Sequence, residues 1–213
     1  MFFKTVAFAS LALLSAAAPV PTVDPITGPG ILVNNKGSVL TEYCFFNNIW
    51  NGDGTAGPNF DNPDTCVSVA PGSGKFVPLA PSFKGRVQRG KTIPSTWGEF
   101  QLAASNDNKA HGDISIEQGC DGAVTIKSTD GTNQVAGFTV DLLTGAPDAA
   151  TMIRQSDGAR VLASTMGNWL APANGAAASW AASKIDASKT YIVGGTGVGD
   201  VSSANQAFEF DFY

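Results

Sequence analysis

The chain has 213 residues, with 13 Lys and Arg against 18 Asp and Glu, and a net charge of −5. An acidic chain is a poor partner for nucleic acid, whose phosphates call for a basic surface. One His and three scattered Cys leave too few ligands for the usual zinc sets or a two-histidine copper site, so no metal and no other cofactor is expected.

In chain order, residues 1–18 carry an early Lys4, an apolar run from Val6 to Leu14 and small residues at Ala16 to Ala18, the pattern of a secretory signal peptide. The run is too short to span a bilayer, and no stretch of roughly 20 apolar residues follows it. The charged, aromatic end "QAFEFDFY" is unlike a glycolipid-anchor signal. A secreted, extracellular or wall-located protein with no membrane partner is the expectation. Loss of Lys4 with the signal leaves 12 basic and 18 acidic residues, a net charge of −6. Residues 19–29 hold four prolines and read as an extended linker or a propiece. Residues 30–213 fit one domain, expected to be a monomer. No Asn-x-Ser/Thr occurs, so N-glycosylation is not expected.

From Gly30 onward ten short runs alternate apolar and polar residues between turn signals: "ILVNN", "VLTEYCFF", "KFVPLA", "GRVQRG", "GEFQLA", "GDISIE", "AVTIKS", "VAGFTVDLL", "KTYIVGG" and "AFEFDF". Their number and spacing predict an all-β fold, an antiparallel β-sandwich of about ten strands. Two short helical insertions are predicted, "PDAATMIRQ" behind Pro147 and the Ala-rich stretch Ala176 to Lys184. Cys44, Cys66 and Cys120 allow one disulfide and leave one thiol. The short Gly-, Asn- and Pro-rich loop between Cys44 and Cys66 favours that pair.

Several motifs carry no chemistry. "GGTGVGD", Gly194 to Asp200, lacks the helix that a dinucleotide loop requires, and "PGSGKF", Pro71 to Phe76, lacks the first glycine and the Ser/Thr of a phosphate loop. Both read as turns. His111 in "SNDNKAHGD" reads as a solvated loop residue without a nucleophile elbow around it.

One constellation stands out. In "WGEFQLA" Phe100 and Leu102 face one way while Glu99 and Gln101 face the other; in "GDISIE" Ile114 and Ile116 oppose Asp113, Ser115 and Glu117. The polar connection between these strands suits a hairpin, which would put Glu99 and Asp113 on one surface. Arg86 and Arg89 are three apart and fall on opposite faces of a strand, so at most one joins the acids. Arg89 is the expected one, with Arg86 at the rim.

"CVSVAPGSGKFVPLAPSFKGRVQRG", "EFQL" and "GDISIEQG" occur in order between Cys66 and Gly119 and, with "CFFNNIW", resemble the thaumatin-like proteins over about residues 30 to 126. That resemblance implies a β-sandwich with an acidic cleft that binds, or slowly hydrolyses, β-1,3-glucan. The family's cleft residues fall on Arg89, Glu99 and Asp113, with Gln118 where the next aspartate stands and Asp121 and Glu117 as nearby acids. Glu117 is two strand repeats from Asp113, roughly 13 Å in a regular strand, beyond the roughly 5–9.5 Å of glycosidase carboxylate pairs. The resemblance implies Glu99 as acid and Asp113 as base, with Arg89, Gln118 and Asp121 binding sugar. Arg89 would hold Asp113 ionised. Few cysteines and a short chain imply a fungal secreted form.

The expected function is polysaccharide binding, with β-glucan as partner. The alternatives are a weak endo-β-1,3-glucanase and a wall-associated or host-interaction protein without sugar chemistry. Trp50, Trp97, Trp169 and Trp180 are available to stack on sugar rings or to fill the core.

Overall fold

The computed structural model describes residues 20–48, 61–168 and 171–213. The signal segment 1–18, Trp50 and Trp169 lie outside the described residues. The fold is all-β. Its strands are β1 (Gly30–Asn35), β2 (Thr41–Asn47), β3 (Thr65–Val69), β4 (Gly74–Pro78), β5 (Lys84–Arg89), β6 (Trp97–Gln101), β7 (Ala110–Ser115), β8 (Val124–Ser128), β9 (Val135–Phe138), β10 (Thr151–Ile153), β11 (Arg160–Leu162), β12 (Val201–Ser203) and β13 (Ala207–Phe212). One sheet has the order β4-β1-β13-β8-β9, a second β12-β7-β6-β5-β2-β3, and β10 pairs with β11.

Alternation sets the core. Phe208, Phe210 and Phe212 are buried on β13 while Glu209 and Asp211 between them face outward, and Asn34 Nδ2 donates to both acids at 2.6 and 2.7 Å. The two larger sheets meet through such residues. Phe100 of β6 lies 6.0 Å from Phe210, and a Cβ on Gly98 would come within 2.3 Å of the Phe210 ring, so β6 can pass this close only with a glycine there. Ile114, Ile126, Val87 and Phe45 complete the same core at 0 % exposure. Each buried side chain of this size contributes about 1.5–3 kcal/mol.

Three features depart from the sequence reading. β1 runs parallel to β13, so the pairing is not antiparallel throughout. "PDAATMIRQ" forms one 3-10 turn, Asp148–Ala150, and then the strand β10, because Thr151 and Ile153 are β-branched and pair with Leu162 and Arg160. "KTYIVGG" is not a strand but touches β7 through a single bridge, Ser115 to Tyr191. The second helix is α1 (Gly175–Ala182), capped by Asn174, whose side chain accepts from Ala177 N. The proline-rich segment lies along the edge of β4: Asp24 N donates to Gly74 O, Gly74 N to Thr22 O, and Lys75 pairs with Asp24 at 3.0 Å. Its non-proline residues supply the donors that proline lacks.

Cys44 and Cys66 are direct partners across β2 and β3 and form a disulfide. Closing a loop of 22 residues constrains the unfolded chain by about 3 kcal/mol. Cys120 is a buried free thiol whose pKa is pushed up to about 11, chiefly by burial. Among the described residues no helix is long and apolar enough to cross a membrane.

Candidate functional site

The outer face of the six-stranded sheet carries a straight row of side chains. Phe46 on β2 is opposite Arg86 on β5, Arg86 opposite Glu99 on β6, and Glu99 opposite Asp113 on β7. The expected hairpin therefore forms, and it pairs the two carboxylates directly. Side chains so paired have Cβ atoms about 4.5–5.5 Å apart. Beside this row runs a second, Lys84 opposite Gln101 opposite His111 opposite Ser202. A cavity of about 440 Å3 opens over both, lined among others by Lys84, Glu99, Phe100, Gln101, His111, Asp113, Tyr191 and Asp200.

Arg86 is 2 % exposed, the largest fully buried side chain of the described residues. Its guanidinium lies between the rings of Phe46 and Trp97, 4.1 Å from each centroid, donates from Nε to Gln88 Oε1 at 3.0 Å and from Nη1 to Asn48 Oδ1 at 2.6 Å. Flat aromatic faces on both sides suit a planar cation. Burial lowers its pKa to about 10, against the opposing charges of Glu99 and Asp61, and it remains charged at neutral pH.

One cation does not neutralise this many acids. Burial, followed by the charge of Glu117, raises Glu99 to about 7, against the pull of Arg86 and a hydrogen bond from Ser115. Burial, followed by the charges of Glu99, Asp200 and Glu117, raises Asp113 to about 8. The two carboxyls titrate as a coupled pair, the ionisation of one raising the other. Asp113 Oδ1 is buried with no hydrogen-bond partner among the described residues. The expectation that Arg89 holds Asp113 ionised fails: Arg89 is engaged by Asp121, and burial with the charges of Glu99, Asp200 and Glu117 raises Asp113.

Arg89 does not join this row. It belongs to the other face of β5, where Nη1 pairs with Asp121 Oδ1 at 3.1 Å, Nη2 donates to the carbonyls of Ala123 and Tyr213, and the guanidinium lies 5.1 Å from the Phe212 ring centroid. Thr96 N donates to the same Asp121 oxygen at 3.2 Å, and Arg154 Nη1 holds the other, Oδ2, at 3.0 Å. With 4 % of its side chain exposed, Asp121 is an internal tie between two arginines and offers no free oxygen to a sugar. Gln118 does not line the cavity either: its carbonyl accepts from Ser95 N, and its Oε1 is buried without a hydrogen-bond partner among the described residues. Of the residues expected at the site, Glu99 and Asp113 are brought together, while Arg89, Gln118 and Asp121 stand apart from them.

Three contributors were not anticipated. Arg86 takes the place expected for Arg89. His111 is a strand residue, and its ring nitrogens contact Asp107 and Asp200. Asp200 closes the segment "GGTGVGD" read as a plain turn. Glu117 is fixed rather than free, its Oε1 accepting from Gly194 N at 2.6 Å. Glu42 lies beside the sulfurs of Cys44 and Cys66, but these are oxidised and supply no thiolate to a metal. Trp97 packs on Arg86, and Trp180 donates to the carbonyl of Leu142 at 2.8 Å while Lys184 lies over its ring. Neither lines the cavity.

Comparison with known proteins is negative: no family model matches the chain, and no curated protein matches it.

Proposed function

We propose that the protein is a secreted, thaumatin-like β-sandwich protein that binds a neutral polysaccharide, β-1,3-glucan or a related wall glycan, in the cleft above Glu99 and Asp113. The observation that carries this reading is the cavity itself, with a directly paired Glu99 and Asp113 and with Gln101 and Tyr191 in its lining. Carboxyl and amide groups exchange hydrogen bonds with hydroxyls, and an aromatic ring offers a face to a pyranose. The surplus of carboxylates disfavours anionic glycans. The two facing sheets support the sandwich, and the disulfide and the signal-like N-terminus support secretion. The fungal origin and the wall location remain part of the same proposal. Binding requires only the positioned polar groups, and Gln118 is not among the residues that line the cleft.

A second reading is favoured by one specific feature. Glu99 and Asp113 are direct cross-strand partners whose carboxyls titrate as a coupled pair, and an acid beside a carboxylate is the pairing that glycoside hydrolysis uses. Slow glucan hydrolysis by Glu99 and Asp113 is that alternative. Retention on insoluble β-1,3-glucan, with released reducing ends assayed on the same sample, separates the two. Binding predicts depletion of the protein from solution with no reducing ends above background; steady release abolished by Glu99→Gln would favour hydrolysis. No depletion at any salt concentration would overturn both and leave an interaction protein without sugar chemistry.

A further inference from the structure

The single histidine of the chain stands at the mouth of the cleft with both ring nitrogens on carboxylates. Nδ1 lies 3.0 Å from Asp200 Oδ2 and 3.2 Å from Oδ1, and Nε2 lies 3.1 Å from Asp107 Oδ2. A neutral imidazole has one N–H and one lone pair, so it satisfies one contact and turns a lone pair on the other carboxylate. Only the imidazolium donates to both.

What His111 holds is the end of a hinge. Gly194, Gly195, Gly197 and Gly199 all have positive φ, and the segment they punctuate is fastened at three points. Gly194 N donates to Glu117 Oε1 at 2.6 Å, Val198 N donates to Tyr191 Oη at 3.1 Å, and Asp200 meets His111. Of these ties only the last involves an imidazole, whose ordinary pKa lies near physiological pH.

We propose that His111 is a positioning residue whose protonation staples the glycine-rich segment 194–200 against the cleft, fixing the wall that contains Gly197 and Asp200 in acid and releasing it as the imidazole loses its proton. The staple deepens the glycan-binding reading, on which its functional meaning rests.

The two charged groups that touch the ring are both acids. Asp107 touches the ring from the β6–β7 connection, which also carries Lys109, and Asp200 touches it from the segment before β12; Asp113 follows two residues on along β7. Glu99 from β6 and Lys84 from β5 share its cavity, with Tyr191 from the segment after α1, and β12 opposes it with the uncharged Ser202. Burial disfavours the charged ring, but the hydrogen bonds and charges of Asp200 and Asp107 outweigh it and raise His111 above its ordinary 6.5. Once the proton leaves, the ring keeps a single N–H for two carboxylates, so one of its two ties is lost and a lone pair meets a carboxylate oxygen.

An NMR titration of 15N-labelled protein tests this without any polysaccharide. The imidazole midpoint is expected above 6.5, with the amides of Gly195, Gly197 and Gly199 shifting at that same midpoint and losing heteronuclear NOE above it. Asp200→Asn should lower the imidazole midpoint, and His111→Gln should abolish that step in the glycine amides while both variants keep the native spectrum elsewhere. Glycine amides that stay flat while the imidazole titrates, a step that persists in His111→Gln, or an imidazole midpoint below 6.5 would each overturn the staple. Absence of glucan retention would remove the glycan reading and leave this result standing, and flat amides would remove the staple while leaving retention intact.

Discussion

Asp121 stands between two arginines, whereas Glu99 and Asp113 share the charge of one. In the first arrangement Arg89 and Arg154 take one carboxylate oxygen each and Thr96 N adds a third donor, and the group is closed. In the second, Arg86 is packed between two rings, and Glu117 and Asp200 add further negative charge. The difference separates structure from function in physical terms. A buried charge that is fully paired holds elements together, here β5, the start of β8 and the end of β10, and has nothing left to offer a ligand. An under-neutralised pair in a cleft costs stability and keeps its hydrogen-bonding capacity for a partner.

Breaking the closed arrangement should give the largest effect. Asp121→Ala leaves the half-buried Arg89 without its acid and Arg154 with Asp157 alone, and a loss of about 3–5 kcal/mol is expected, read as a lower denaturant midpoint. Relieving the open one should do the reverse. An acid whose folded pKa lies above its ordinary value gives full stability below the ordinary value and loses it as pH rises through the folded one. Glu99, at about 7 against an ordinary 4.5, and Asp113, at about 8 against 3.8, therefore make the protein progressively less stable as pH rises from about 3.8 to about 8. Glu99→Gln should be more stable than the natural protein at pH 8.5, by on the order of 1–3 kcal/mol, and indistinguishable from it at pH 4. Equal stability at pH 8.5 would mean that Arg86 neutralises the pair and that the two regions do not differ.

Much of the open arrangement was legible. Alternation in "GEFQLA" and "GDISIE" placed Glu99 and Asp113 on one face, and the loop between them implied the hairpin that pairs them. The same alternation carried two residues further back would have put His111 beside Asp113, because Ala110, Gly112 and Ile114 share the buried face. The choice between Arg86 and Arg89 was not legible. Strand phase shows only that they point oppositely, and which one meets Glu99 depends on the register of β5 against β6. Asp200 is 87 residues from Asp113 and reaches it only because β12 joins the edge of β7, a long-range pairing that no local pattern announces. The parallel contact of β1 with β13, chain start against chain end, was hidden for the same reason. "PDAATMIRQ" misled because a proline-opened, Ala-rich start signals a helix, while the β-branched residues after it find a partner strand.

Calorimetric titration of a soluble β-1,3-gluco-oligosaccharide into three forms of the protein tests most directly that the cleft over Glu99 and Asp113 is where sugar binds. Gln101→Trp fills the cavity from the outer face of β6, and Arg89→Lys perturbs the closed arrangement without touching the cleft. The account predicts binding by the natural protein, a loss of tenfold or more in Gln101→Trp, about 1.4 kcal/mol, and an affinity within twofold of natural in Arg89→Lys. Unchanged affinity in a folded Gln101→Trp, or its loss in a folded Arg89→Lys, would contradict it.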